Sequence, residues 1–578
     1  MADSPQYDVA IIGGGPGGST TGALLRKYHD AKVVICERES FPREHVGESQ
    51  LPPIGGILHE MGCWDAVEAA QFPIKVGVTY RWGSARQLWD FDFIPGGAFL
   101  DAERPAPYAG QRTRTAFQVD RAVYDQILLD QAGKLGCEVR QQTKVAKVER
   151  DGDRVTGLQL ASGERIEARW YVDASGHGGV LRRALDVPIH CPAQLKNVAV
   201  WDYWNNIEWA DTIGVGGTRV QVLSVGFGWI WFIPVSPTRA SIGLICAADY
   251  YKRSGRSLQE LYDEALQIEP RVRELTANAT MRGMPSTTKD WSFVSERAYG
   301  DNWFLVGEAV GFADPILAAG MTLTQTGGRE LAYTLRALLT GAHDEAWLKR
   351  HYEHNQRVRI VQHIRFADFW YAANGQFTDL QQECARIAAD AGFRMDAEDA
   401  WQWLSQGGFA NDVPGQLGVG GLDLTGTKQI TQRLAGSEAK WHVSSVNVVR
   451  LQLDDAEQTT VPYYRGGEVK AVPAYVRGDK QLLVVGVLGL IVKLMAQISS
   501  ITALLEVAVQ KLVQSNPSAG PVASVHAAQA IEYLLSEGWA TGTLDPALPR
   551  LDLSTPDEGP TIHKHKAIQT GVTQSRQS

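Results

Sequence analysis

The strongest constraint in this sequence is a glycine-rich turn set between two regular elements. Residues Tyr7–Ile12 (YDVAII) form a short apolar run rich in β-branched side chains. That is the pattern of a strand buried on both faces of a parallel sheet. Gly13-Gly14-Gly15-Pro16-Gly17-Gly18 follows at once, then a helical stretch at 19–28 and a second apolar strand at 32–37 (KVVICE). Together they predict a strand–helix–strand unit of about 30 residues. A Gly-x-Gly-x-x-Gly alone says little, but a strand before it and a helix after it are the context in which it binds a dinucleotide. Gly13 then permits the tight turn, Gly15 lets backbone approach the pyrophosphate, and Gly18 lets the helix pack closely on the sheet. The helix N-terminus stabilises the phosphate charge. Glu37 ends the second strand, where an acid bonds ribose hydroxyls and repels a 2′-phosphate.

The chain has 578 residues, enough for two or three packed units. Strands resembling the first one recur at Val172 (ARWYVDASG) and at 303–306, so the nucleotide-binding sheet is revisited twice. Between these visits, 76–93 and 198–247 alternate apolar and polar residues, with strands at 219–225, 229–234 and 240–246 that read as antiparallel. From about Glu330 helical spacing takes over, at 329–339, 345–371 and 380–391, followed by a glycine-rich loop at 407–426. A further unit at 462–545 holds the apolar run 482–492, too short to span a bilayer, and helices at 501–514 and 525–537. The polar tail from Ser554 predicts disorder, with His563 and His565 solvated rather than ligating a metal.

Composition removes several function classes. The formal net charge is −9, which disfavours binding to a phosphate backbone, so no nucleic-acid partner is expected. The six cysteines are scattered without a CxxC pair. They offer neither a zinc framework nor a disulfide scaffold, no metal site is expected, and a reducing cytoplasm fits. The first six residues do not read as a signal peptide, and no transmembrane segment is expected. Two surpluses, 58 Gly and 17 Trp, suit backbone close to a ligand and an aromatic-lined cavity.

The segment after Glu37 (RESFPREHVGES, residues 38–49) resembles the FPR…GES segment of flavin-dependent halogenases and their monooxygenase relatives. Residues 118–125 (QVDRAVYD) resemble that family's arginine-bearing helix, 172–176 (VDASG) its DASG turn, and 306–315 (VGEAVGFADP) its GDAxGFxDP segment. The resemblance implies an α/β FAD-binding, Rossmann-like domain (GR2-type, as in p-hydroxybenzoate hydroxylase), discontinuous over 1–75, 110–185 and 295–345. It implies an inserted antiparallel β-sheet substrate domain over 76–109 and 186–294. A mainly helical C-terminal extension would span 346–553, winged-helix-like at 462–545, before a disordered tail at 554–578. FAD contacts would fall to Gly13, Gly15, Gly18, Glu37, Arg43, Ser49, Arg121, Asp173, Gly307 and Glu308. Glu308 stands where the family usually has Asp, and its longer side chain still accepts a hydroxyl hydrogen bond.

Three segments bear on the chemistry. Residues 228–234 (GWIWFIP) match the family's WxWxIP signature, in which Trp229 and Trp231 would separate substrate from the flavin face. By spacing alone, the same residues fit a core strand with alternating aromatics. Residues 72–83 (FPIKVGVTYRWG) resemble the family's KxG…WG segment, making Lys75 the catalytic lysine in the tunnel between flavin and substrate. By sequence alone, an ordinary surface lysine is the favoured reading, and the motif position is what overturns it. A desolvated lysine can shift its pKa enough either to polarise hypohalous acid or to form a haloamine. In 312–320 (FADPILAAG), Phe312, Pro315 and Gly320 match FxxPxxSxG, and Ala318 replaces the Ser. Halide would then sit on the backbone amides of Ala319 and Gly320.

Leu317 occupies the place of a Glu in the tryptophan-chlorinating branch, which points to a phenol or pyrrole rather than free tryptophan. The resemblance implies FAD supplied as FADH2 by a separate flavin reductase, and chloride or bromide oxidised to hypohalous acid. The small aromatic substrate would arrive free or tethered to a carrier protein. A second nucleotide motif for NAD(P)H is not evident. A hydroxylating flavin monooxygenase, a geranylgeranyl-reductase-like oxidoreductase, and a non-catalytic flavin-binding protein remain the alternatives.

Overall fold

The computed structural model describes residues 5–565, apart from 83–86, 95–98, 101–102, 192–195, 215, 290–291, 373, 375–427, 430–440, 479, 516–519, 554–558 and 560–561. The expected helix at 380–391 and glycine-rich loop at 407–426 lie outside the described residues. The chain opens with β1 (Tyr7–Ile12), α1 (Pro16–Tyr28) and β2 (Val33–Cys36). It continues through β3 (Ile74–Arg81), β4 (Trp89–Asp92), α2 (Arg121–Lys134), β5 (Glu138–Arg140) and β6 (Ala168–Asp173). Next come β7 (Asn197–Asn205), β8 (Gly217–Val225), β9 (Gly228–Pro234), β10 (Arg239–Ala247) and β11 (Trp303–Leu305). Two long helices follow, α3 (Gly320–Thr340) and α4 (Glu345–Ala372), then α5 (Gly486–Met495), α6 (Ile501–Ser515), α7 (Gly520–Ser536) and β12 (Ile562–Lys564).

Five strands form a parallel sheet in the order β11-β6-β1-β2-β5. The C-terminal ends of β1, β6 and β11 meet at one edge, where the Ala174 amide bonds to the Ile12 carbonyl and the Val306 amide to the Asp173 carbonyl. Open α/β sheets bind ligands at that edge. β1 is buried nearly throughout because α1 and a small antiparallel sheet (Val145–Asp151, Arg154–Leu160 and Arg165–Ile166) pack against the parallel sheet, which is why its sequence runs apolar instead of alternating.

The second sheet is larger, with its main path running from Thr280–Met281 through β7-β10-β9-β8-β3-β4 to β12. Its pairs are antiparallel except β8 with β3. Beyond a register shift in the β3–β8 pair between Thr218 and Arg219, period-2 alternation splits its faces. Val78 and Tyr80 of β3, Val220 and Val222 of β8, and Trp229, Trp231 and Ile233 of β9 face one cavity. On the other face lie Thr79, Asp90, Asp92, Arg219 and Gln221, all buried. Arg219 holds Asp92 through two hydrogen bonds of 2.7 and 3.0 Å. A buried charge is tolerated only in such a paired state.

Two features depart from expectation. The tail beyond Ser554 is not wholly disordered. Ile562–Lys564 pairs antiparallel with Trp89–Phe91 and extends the large sheet. The His563 Nε2 lies 2.8 Å from Asp92 Oδ2 and His565 Nδ1 lies 3.0 Å from Asp90, so neither histidine is a free, solvated side chain. An edge strand with unmet backbone groups and a surplus of carboxylates gives even a polar segment something to order against.

The C-terminal region also carries a three-stranded antiparallel sheet, Glu457–Arg465, Glu468–Arg477 and Lys480–Leu483, that its sequence hid. Two of its strands contain a proline, Pro462 and Pro473, a residue that argues against a strand interior. The apolar run at 482–492 divides between the end of that sheet and α5, whose buried face packs with α6 and α7 around Trp539 and Ile531.

Candidate active site

One cavity of about 720 Å³ opens along the C-terminal edge of the parallel sheet and continues beneath the large sheet. Gly13, Gly15, Glu37, Arg43, Ser49, Arg121, Gly307, Glu308, Lys75, Trp229, Trp231 and Gly320 all border it. The sequence-predicted nucleotide motif and the sequence-predicted chemistry therefore share one space. Gly18, Asp173 and Ala319 stand behind its wall.

The cradle is built by β1 and α1. Gly13 takes φ 103°, and a Cβ there would lie 2.4 Å from the Ala174 carbonyl oxygen. A Cβ on Gly18 would lie 2.0 Å from the Gly13 oxygen. Neither position accepts a side chain, the first for the turn and the second for helix–sheet packing. Gly15 is the N-cap of α1 and no side chain caps it, so the first amides of the helix are left for a ligand. Glu37 accepts hydrogen bonds from the Gly14 amide at 2.7 Å and the Glu39 amide at 2.8 Å, which fix its carboxylate at the end of β2.

Arg121 lies on α2 and spans Asp125 through bonds of 2.7 and 2.9 Å. Its remaining Nη1 holds the Val46 carbonyl at 2.9 Å and so pins the Gly47 turn. Arg43 leans over the Phe41 ring, 4.6 Å from its centroid. Ser49 Oγ is buried and finds no hydrogen-bond partner among the described residues, and Arg43 Nη1 is ion-paired with Asp125 Oδ2 at 3.4 Å without a hydrogen bond. A buried hydroxyl left unmet calls for a ligand, and with the glycine cradle and the Arg43 guanidinium it fits an extended dinucleotide such as FAD. Gly307 takes φ 63° and presents Glu308 to the cavity. Asp173 does not reach it: this carboxylate accepts from Ser175 and from the Leu181 amide at 2.7 Å and shapes the turn that does.

Lys75 sits on β3 with no exposed surface. Its Nζ donates to the Gln50 carbonyl at 3.0 Å and lies 5.5 Å from the Phe93 ring centroid. Burial, with no counter-charge among the described residues, lowers its pKa to about 7, because desolvation disfavours the ammonium. Trp229 and Trp231 project from β9 with ring centroids 6.1 Å apart, and Trp201 adds a third ring 6.3 Å from Trp231. Asp314 caps the turn Pro315–Leu317, and Ala318 follows at φ 53°. Gly320 then opens α3 with Ala319 as N-cap. Ala318 and Gly320 border the cavity, and Ala319 is buried beside them.

Some residues of the site escaped sequence reasoning. Glu48 is buried against the cavity, accepts from the Tyr203 hydroxyl at 2.9 Å, and is pushed above the usual carboxylate range by burial. Trp370 and Tyr371 end α4 behind the tryptophan wall: Trp229 Nε1 donates to the Tyr371 hydroxyl at 2.8 Å, and Trp370 stands 6.1 Å from Trp82. Their only signal was an aromatic pair at the end of a helix, which reads as ordinary core.

Comparison with known proteins places this arrangement. The family model for tryptophan halogenases matches residues 8–104 and 98–380. A tryptophan 2-halogenase of Chondromyces crocatus is 29% identical over 64% of this chain and 68% of its own. A 1H-pyrrole-2-carbonyl-[peptidyl-carrier protein] chlorinase of Pseudomonas fluorescens is also 29% identical, over 65% of this chain and 86% of its own. Among solved structures, the myxobacterial chondrochloren halogenase CndH superposes with a TM-score of 0.57 at 27% identity, over 68% of this chain and 91% of that one. The fold of the flavin-dependent halogenase CmlS covers 95% of this chain and 98% of that one, with a TM-score of 0.70 at 23% identity.

Proposed function

The chain belongs to the tryptophan halogenase family, and on that footing we propose that it is an FADH2-dependent halogenase of an electron-rich aromatic ring, phenol- or pyrrole-like. The observation that carries the reading is the single cavity joining the dinucleotide cradle to Lys75 and the tryptophan pair. Reduced FAD, when bound, supplies the oxygen activation that turns chloride or bromide into hypohalous acid. The protein positions it through the Gly13–Gly18 turn, Glu37, Arg43, Ser49 and Glu308. The amides of Ala319 and Gly320 hold the halide, since the first donors of a helix have no partner within it. Trp229 and Trp231 wall the aromatic substrate away from the flavin.

Lys75 handles the oxidised halogen. With its pKa near 7, both of its forms are present at neutral pH. The ammonium donates a hydrogen bond to the hypohalous oxygen and polarises the halogen. The amine can instead attack the halogen: the N–halogen bond forms, the O–halogen bond breaks, and the departing hydroxide takes the displaced amine proton as water. Electrophilic substitution on the ring then returns the lysine.

The cavity face of the large sheet is built from Val, Ile, Tyr and Trp, which suits a neutral ring better than a zwitterionic amino acid. The pyrrolyl relative acts on a carrier-bound ring, which supports a tethered substrate here. A separate reductase supplies the FADH2, and we assign the reaction to the cytoplasm, in keeping with the free thiols of the described cysteines. No helix among the described residues is long and apolar enough to cross a membrane.

The test is a reconstitution with FAD, NADH, a flavin reductase, oxygen and bromide, offering free and carrier-bound phenols and pyrroles, read by mass spectrometry. Bromine in the product is expected. Oxygen in its place, with no bromine on any ring, would instead make this a monooxygenase. Lys75→Ala is expected to abolish ring bromination while FAD absorbance and bromide-dependent hypohalous acid release persist. Wild-type rates in that variant would remove the lysine from the mechanism.

A further inference from the structure

The turn that carries Ala319 and Gly320 is anchored by a side chain the scheme above does not use. Asp314 is 5% exposed. Its Oδ1 accepts from the Ile316 amide at 2.8 Å, and its Oδ2 lies 3.4 Å from the Asn197 Nδ2 of β7. The Tyr371 hydroxyl donates to the same carboxyl, 3.2 Å from Oδ1 and 3.3 Å from Oδ2, while accepting from Trp229. One hydroxyl on α4 thus ties the carboxyl beneath the halide turn to the tryptophan that walls off the substrate.

A second carboxyl, Asp368, lies one turn before Tyr371 on the same helix and is repelled by Asp314. The groups acting on Asp314 are the Ile316 amide, the Tyr371 hydroxyl and the Asn197 amide, with Asp368 as the neighbouring charge. Lys75 borders the same cavity, but its own shift comes from burial alone. Burial raises Asp314 to about 7, and burial with the charge of Asp314 raises Asp368 to about 8. Two carboxyls so placed, Asp314 buried and Asp368 half-buried, do not ionise together near neutrality. An ionised Asp314 would also repel an anion held a few residues further along the chain.

We infer that Asp314, held by Tyr371, is a positioning residue that couples halide binding to proton uptake. The turn takes chloride or bromide while this carboxyl is neutral and releases it when the carboxyl ionises. The inference rests on the assignment of halide to the Ala319 and Gly320 amides.

Chloride binding to the FAD-loaded protein, followed by 35Cl NMR line broadening from pH 6 to 9, tests it without turnover. In the wild type the dissociation constant is expected to rise above pH 7, at most by about tenfold per pH unit. Asp314→Asn keeps an acceptor for Ile316 and is expected to flatten that dependence at the low-pH affinity. Tyr371→Phe removes a donor that favours the carboxylate, so the midpoint should move to higher pH. Lys75→Met should retain the slope. A wild-type slope in Asp314→Asn, an unmoved midpoint in Tyr371→Phe, or a flat profile in Lys75→Met would each overturn the inference. If the wild type broadens chloride at no pH, the halide assignment falls first and the proton coupling with it.

Discussion

Under the proposed mechanism, Lys75 sets stability against chemistry. An unfolded lysine keeps its proton to about pH 10.4, whereas the folded one gives it up near 7. Between those values the unfolded chain binds more protons, so this group's penalty on folding shrinks as pH rises through the window. Lys75→Met fills the same space without the charge. It is expected to stabilise the fold by about 1–2 kcal/mol at pH 7 while halogenation is lost, a pairing that denaturant unfolding and product analysis would show together. At this scale the sequence was partly legible. Gly13 and Gly18 announced themselves because steric demands on a glycine turn leave a fixed spacing. Lys75 and the two tryptophans, which border the cavity, were singled out through resemblance, since their spacing alone also fits a surface lysine and a core strand. Asp314 and Tyr371 stayed hidden because 57 residues separate them, and nothing local records a contact made by the fold.

Among the described elements, β12 is an edge strand tied down by a charge pair, His563 with Asp92. His563 is raised above its ordinary pKa chiefly by its hydrogen bond to Asp92, against the effect of its burial. A raised histidine contributes stability that is full below about pH 6.5 and lost as pH rises through its folded value. Proteolysis of the tail in the native protein should therefore be slower at pH 6 than at pH 9. His563→Gln should erase the difference by speeding cleavage at pH 6 and leaving pH 9 unchanged. Equal protection at both pH values would mean that the backbone ladder alone holds the strand. The polar tail gave no warning of this, because its partner strand supplies both the edge and the carboxylates. The hairpin of Glu457–Arg465 and Glu468–Arg477 was hidden for a different reason: two prolines interrupt the expected pattern, yet the strands pair residue by residue from Glu457 opposite Val476 to Arg465 opposite Glu468.

At the scale of the whole molecule, one apolar core runs through both large sheets and α4, with a satellite cluster on the large sheet around Phe232, Leu244 and Tyr262, and a separate core gathers α5, α6 and α7. The C-terminal sheet bridges them through polar contacts, including Arg336 to the Gly467 carbonyl at 2.6 Å and Trp347 to the Thr460 carbonyl at 3.1 Å. Calorimetry should resolve two unfolding transitions. A ligand stabilises only the unit that binds it, by about 2.7 kcal/mol at a hundredfold excess over Kd, so FAD should raise one transition and leave the other in place. A single transition that moves as a whole would instead show the two cores to be one cooperative body. The rear partition of the ring chamber has a bearing on this architecture. Trp370 and Tyr371 are furnished by the helix from which the chain departs toward its second core. A lineage that gained, lost or exchanged that appendage would have had to re-cut the fit between helix and chamber. Under the proposed function, a change of the appendage would also change the chamber wall, and grafts between relatives should cross over before α4 or well beyond it, never within its last turn.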